Sequence, residues 1–144
     1  MSDKFFYDTN IFLYLSLLPE NPEDTFKRNR VKNILSLHQD NIYISTQVIN
    51  EISNVLTKKK VLSKKDTIDF LNLILSVANC IPLTQDLTFD AIEIKKRYGF
   101  SFYDSLIIAS ALSVKCNVLV TEDLQHLQVI VFNSSPLQIL NPFI

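Results

Sequence analysis

The sequence predicts an α/β fold, with a parallel sheet of about four to five strands and helices on both faces. Three observations predict it. Short β-prone runs alternate with segments of helical period along the whole chain. The run Val118-Leu119-Val120 is apolar without alternation, as a strand covered on both faces must be. The segment after Ser101 is apolar almost all round, a pattern that suits only a central helix. With 144 residues, 47% of them hydrophobic, the chain reads as one domain over 1–144 that buries its core without disulfides.

The elements follow in order. Lys4-Phe5-Phe6-Tyr7 is a first strand that stops at Asp8-Thr9-Asn10, and Ile11 to Leu18 is a short helix ended by Pro19. Pro22 to Asp24 open a second helix that runs to about Leu37. Ile42-Tyr43-Ile44 is a strand, after which Ser45 or Thr46 caps a helix carrying Val48, Ile49, Ile52, Val55 and Leu56 at helical period. That helix ends near Lys58 to Lys60, whose charge suits a helix C-terminus. Ser63 and Asp66 form a capping-box pattern for a helix to about Ala78, and Cys80 to Leu83 make a short strand. Leu87, Ala91, Ile94 and Tyr98 mark a helix face that Gly99 terminates, and Ser101 opens the central helix. Val129 to Phe132 and Gln138 to Leu140 are expected to add edge strands.

Composition removes several classes of function. A single glycine, Gly99, leaves no Walker loop and no dinucleotide fingerprint. No apolar run approaches the roughly 20 residues of a membrane helix. Met1 to Lys4 lead directly into the first strand, so a signal peptide is not expected. Cys80 and Cys116 sit in apolar runs with neither zinc nor redox spacing, and read as plain thiols in a reducing cytoplasm. Net charge is −1, yet 12 of the 14 basic residues fall in three groups, at 27–32, 58–65 and 95–97. Such groups can follow a phosphate backbone, or simply be solvated helix ends. Lys58, Lys59 and Lys60 are the candidates for RNA contact.

Four acids stand where solubility does not need them. In a parallel sheet, ligands bind at the carboxyl ends of strands. Asp8 ends the first strand, and Asp123 follows the strand at 118–120. Asp104 shares a helix face with Ile108 and Ala111, and Glu51 flanks the stripe of Val48, Ile52 and Val55. Converging carboxylates without counter-charges call for a hard cation, and oxygen ligands suit Mg²⁺ or Mn²⁺. Each acid also has an ordinary reading: a cap for Asp8, a helix N-terminal charge for Asp104, a turn for Asp123 and a rim position for Glu51. His126 is read as a surface-loop residue and His38 has no functional case.

Phe6-Tyr7-Asp8-Thr9-Asn10-Ile11-Phe12 resembles the opening motif of PIN-domain nucleases. The stretch from Ser45 to Ile52, with its serine six residues before Glu51, resembles their second motif. Phe102 to Ala111 is similar to the third, and Leu119-Val120-Thr121-Glu122-Asp123 to the fourth. Asn141-Pro142-Phe143 resembles the close of one branch, and the order spans nearly the whole chain. Leu127 stands where related sequences often carry glycine, which predicts a reshaped loop after Asp123.

The resemblance implies a parallel sheet flanked by helices, an acidic pocket for Mg²⁺ or Mn²⁺, and endoribonuclease activity. Asp8 and Asp104 are then the closest metal ligands, with Glu51 and Asp123 completing the site or orienting water. Thr9, Asn10 and Thr121 become second-shell or turn residues. Small members of this kind resemble VapC-type toxins of toxin–antitoxin pairs, which implies a homodimer and a small antitoxin partner. Apolar residues near the amino end, Phe12, Leu13, Leu17 and Leu18, point the same way. The alternatives are a PIN-like module that binds RNA or protein without cutting, and a housekeeping RNA-processing nuclease. An aspartyl phosphatase is a weaker rival, since Asp8-Thr9-Asn10 lacks the second aspartate.

Overall fold

Phe5–Tyr7 form β1, and α1 (Thr9–Ser16) follows after one residue. The computed structural model describes residues 3–16, 19–58 and 62–144. Leu17, Leu18, Lys59 and Lys60 therefore lie outside the described residues. α2 (Pro22–Leu37) starts where Asn21 accepts the Asp24 N–H at 2.8 Å, with Pro22 as the first helical residue. β2 (Ile42–Ser45) runs straight into α3 (Thr46–Lys58). Ser63 caps α4 (Lys64–Val77) through the Asp66 N–H, which satisfies the capping pattern. β3 (Asn79–Ile81) leads to α5 (Gln85–Tyr98), which ends at Gly99 in the left-handed region with φ 80°. α6 (Phe102–Ser113), capped by Ser101, buries an unbroken run from Ser105 to Ala111, as a central helix should. β4 (Val118–Val120), β5 (Val129–Phe132) and β6 (Ser135–Leu140) complete the chain.

These strands form one six-stranded sheet in the order β3-β2-β1-β4-β6-β5. β1 lies between β2 and β4 and runs parallel to both. The sequence expectation of four to five strands is exceeded by the tail. Its two strands also differ from the expected pair of edges: β6 is interior and parallel to β4, whereas only β5 is antiparallel and at the edge. The turn between them, Asn133-Ser134, has φ 51° and 65°, the positive pair of a two-residue hairpin turn whose twist matches its strands.

The core gathers Phe6, Tyr7, Ile11, Phe12, Ile44, Ile52, Ile108, Leu119 and Ile139 between sheet and helices. Phe12 is therefore fully buried and Leu13 half-buried, so neither belongs to a free apolar patch as the sequence suggested. Among the described residues no helix is long and apolar enough to cross a membrane. Cys116 is buried and Cys80 half-buried, both as free thiols, and burial pushes the Cys116 thiol up to about 12.

The first and third basic groups serve the fold. Lys27 reaches Glu122 at 3.0 Å and the Tyr14 hydroxyl at 3.1 Å, and Arg30 Nε donates to the Pro142 carbonyl at 2.8 Å. The Tyr14 hydroxyl also bonds Glu122. Arg97 reaches the Val131 carbonyl and lies over the Phe132 ring.

Candidate active site

The sheet order reverses between β1 and β4, and the crevice outside their carboxyl ends is where an open α/β sheet takes a ligand. Asp8 leaves β1 at that point, and its N–H is bonded to the Val120 carbonyl at 3.0 Å. Thr121, Glu122 and Asp123 leave β4 beside it. From the other side, α3 brings Glu51 and the first turn of α6 brings Asp104. Asp8, Glu51, Asp104 and Asp123 all line one cleft of about 220 Å³, together with Thr9, Asn10, Leu13, Gln47, Val55, Tyr103 and Ile107. The sequence-expected acids are thus brought to a single place, and among the described residues the lining holds no basic side chain.

Their exposure is graded. Asp8 is buried, Asp104 half-buried, and Glu51 and Asp123 exposed, so the cost of burying a charge falls on Asp8 alone. Burial raises the Asp8 carboxyl to about 6; bonds from Thr121 and Thr9 pull the other way, and the charges of Glu51 and Asp123 add to the rise. Oδ1 of Asp8 accepts the Thr9 N–H at 2.7 Å, and Oδ2 accepts the Thr121 hydroxyl at 2.9 Å. A helix cap would instead serve an N–H one or two residues further on, so Asp8 is not simply the cap of α1. Asp104 stands in the first turn of α6, its N–H served by Ser101, so it has the place of a helix N-terminal charge and lines the cleft as well.

Thr121 is the hub of the amino-terminal half. Its hydroxyl oxygen also accepts Asn10 Nδ2 at 3.3 Å and the Asp123 N–H at 3.2 Å. Asn10 Nδ2 in turn donates to Asp123 Oδ2 at 2.7 Å. Thr9, Asn10 and Thr121 therefore hold Asp8 and Asp123 in relative position, beyond the turn chemistry that the sequence allows them.

Two lining residues went unmarked in the sequence. Gln47, almost fully buried, donates from Nε2 to Glu51 Oε1 at 2.9 Å and to the Tyr103 carbonyl at 3.1 Å. Its one sequence signal is the spacing of one helical turn to Glu51. Tyr103 is the other, an exposed ring beside Asp104. The two histidines stay outside the cleft: His126 Nδ1 accepts the Asn141 N–H at 3.0 Å, and His38 pairs with Tyr7 in the core.

The donor set is all oxygen, which suits a hard divalent cation in type. Asn10 Oδ1 and Gln47 Oε1 are buried acceptors that no described donor serves, so the cleft wall has oxygen to spare. Among the described residues no three carboxylate, imidazole or thiol groups stand close enough to form a ready-made shell. The acids line a cleft rather than close on one point, as unneutralised like charges should.

The domain model described as PIN domain matches residues 5–130. No curated protein matches the chain. Among solved structures, the toxin–antitoxin complex from Klebsiella pneumoniae superposes with a TM-score of 0.67 at 19% identity, covering 96% of this chain and 98% of that one. VapBC2 from Rickettsia felis, solved bound to a DNA fragment from its promoter, gives 0.60 at 26% identity over 83% and 87% of the two chains. VapC20 from Mycobacterium tuberculosis, described as a sarcin-ricin loop cleaving toxin, gives 0.64 at 17% identity over 81% and 87%.

Proposed function

The chain belongs to the PIN-domain family, and from that premise we propose that it is a Mg²⁺- or Mn²⁺-dependent endoribonuclease, the toxin of a toxin–antitoxin pair. The observation that carries the reading is the convergence of Asp8, Glu51, Asp104 and Asp123 on one cleft whose described lining has no counter-charge. Asp8 and Asp104 are the residues that would hold the cation, with Glu51 and Asp123 completing the set. A bound divalent ion supplies Lewis acidity, easing the deprotonation of water and offsetting charge on a phosphate.

The chain's own residues do the rest. Thr9 and Thr121 pin both oxygens of Asp8, so the buried carboxylate keeps one orientation. Asn10 pins Asp123. Gln47 takes one oxygen of Glu51 and leaves the other for the proton of an attacking water. Water adds at phosphorus and the bond to the 3′ oxygen breaks, leaving a 5′-phosphate and a 3′-hydroxyl. Lys58 lies on the same α3 face as Glu51 and Val55, about 10 Å further along the axis, where a passing phosphate can be met. The toxin assignment draws on the likeness to the toxin–antitoxin complexes above, and a homodimer with a small antitoxin partner belongs to the same reading.

The test is cleavage of a mixed RNA pool with Mg²⁺ or Mn²⁺ and with EDTA. Asp8→Asn and Asp104→Asn should abolish cleavage while melting, metal-free, at or above the parent, because each removes one repelling charge. Added Mg²⁺ should stabilise them less than it stabilises the parent. A destabilised but active Asp104→Asn protein would overturn the site. The second reading, a module that binds RNA or protein without cutting, draws on the open spacing of the acids and predicts intact RNA at every metal concentration. A housekeeping nuclease would lack a short neighbouring reading frame for an antitoxin.

A further inference from the structure

The first turn of α6 carries an aromatic ring that the core does not use. Tyr103 is 65% exposed, while the helix buries every residue from Ser105 to Ala111. It immediately precedes Asp104 and lines the same cleft as the four acids. Its base is fixed: Gln47 donates to its carbonyl at 3.1 Å, and Ser101 caps the turn it sits in. Its ring meets Phe102 edge-on, with centroids 5.2 Å apart and planes at 80°. A rigidly mounted ring thus stands in water at the mouth of an acidic cleft.

The charge of that cleft makes the ring's position informative. A divalent ion held by the four acids would meet the scissile phosphate, but among the described residues the lining offers no lysine or arginine for the phosphates beside it. Beyond that one phosphate, attraction for the strand inside the cleft has to come from something other than an ion pair with a described lining residue. Stacking of a base on an aromatic face supplies it without regard to sequence, because every base has such a face.

We propose that Tyr103 is a substrate-binding residue whose ring stacks on an unpaired nucleobase next to the scissile phosphate, fixing the strand over the carboxylates. The proposal rests on the nuclease reading above and names how that site holds its substrate. Gln47 enters as the positioning residue that ties this platform to Glu51.

The sequence contains no tryptophan, so Tyr103→Trp places a lone indole at the site. Two measurements use it. In steady-state cleavage of a short single-stranded oligoribonucleotide, Tyr103→Ala and Tyr103→Leu should raise KM about tenfold or more with kcat nearly unchanged. Tyr103→Phe and Tyr103→Trp should keep the parent KM. In stopped-flow mixing, the emission of Tyr103→Trp should be quenched by the oligonucleotide before a turnover completes. A Tyr103→Ala protein that cuts RNA with the parent KM, beside an unquenched indole, overturns stacking and leaves the nuclease standing. If the parent cuts no RNA the nuclease reading falls, and the emission still decides: quenching retains the stacking platform, and its absence removes that too.

Discussion

His38, almost fully buried, stacks on Phe5 with ring centroids 3.5 Å apart and shares a 2.7 Å hydrogen bond with the Tyr7 hydroxyl. Burial, and then the charge of Arg30, hold its pKa below the usual histidine value. A depressed folded pKa means the folded state binds fewer protons than the unfolded chain, so this contribution is complete above about 6.5 and is lost as pH falls below it. His38→Gln should flatten the fall of melting temperature between about pH 6.5 and 5, measured in EDTA. Asp8 works in the opposite sense, because its raised pKa favours the fold at low pH, but it is common to both proteins and cancels in their difference. An identical pH slope in parent and variant would mean that His38 titrates normally. At this scale the sequence was legible where a residue type was out of place: an acid at the end of a buried strand is hard to explain otherwise. Gln47 was not, because it sits beside Val48 in a helix whose apolar stripe hides it, and only its two bonds reveal its work. Tyr103 is hidden among the apolar members of a central helix, since periodicity cannot tell which ring of a nearly all-apolar segment faces water.

Element boundaries followed from local chemistry that the sequence states openly. Asn21, Ser63, Thr84 and Ser101 each accept the N–H three residues on, and Gly99 takes the left-handed C-terminal position. The tail was less legible, because two short runs carry no mark of which neighbour each will pair with. The interior place of β6 is set by its parallel register on β4, a contact between distant segments. The edge strand is then protected by a residue from another element. The hydroxyl of Tyr98 accepts the Val131 N–H at 2.9 Å and donates to the Val131 carbonyl at 3.0 Å, occupying the groups that an incoming strand would use. The loop after Asp123 carries a leucine at a backbone position that favours glycine. Leu127 keeps a left-handed backbone, φ 68°, and its N–H reaches the Ile139 carbonyl at 2.8 Å, so the loop retains the conformation glycine would favour. The side chain is 54% exposed and has little packing to lose. Leu127→Gly should therefore raise stability by up to about 1 kcal/mol, the strain released less the added freedom of the unfolded chain. Thermal melts check the sign, and cleavage should be unaffected because Asn10 and Thr121, not Leu127, hold Asp123.

At the scale of the molecule, charge and apolar surface are sorted to different places. The acids collect at the carboxyl ends of β1 and β4, Lys58 marks the far end of α3, and the apolar surplus appears on α4. Ile68, Leu73, Leu75 and Val77 of that helix are 47%, 61%, 44% and 44% exposed. α4 packs on α3 by its inner side; Ile68 and Leu75 lie along one edge of that contact and Leu73 and Val77 along the other. The exposed Lys65, Asp69, Asn72 and Ser76 occupy the outer face between, so the Ile68–Leu75 edge is an apolar strip facing water. A helix of such composition is stabilised by covering it, and the simplest cover is the same surface of a second copy about a two-fold axis. The homodimer expectation rests on the family resemblance and on Phe12, Leu13, Leu17 and Leu18; Phe12 is spent in the core, and the Ile68–Leu75 edge of α4 is a second seam to test for it. Ile68 and Leu75 are seven residues apart and share a face, so Ile68→Glu with Leu75→Glu puts like charges across any α4 pairing without touching the cleft. Sedimentation on the order of tens of micromolar should give a dimer for the parent and a monomer for the double variant. The variant's metal-dependent cleavage should survive if each cleft is complete within one chain. A monomeric parent would remove the dimer, and a double variant that remains dimeric would move the interface off α4.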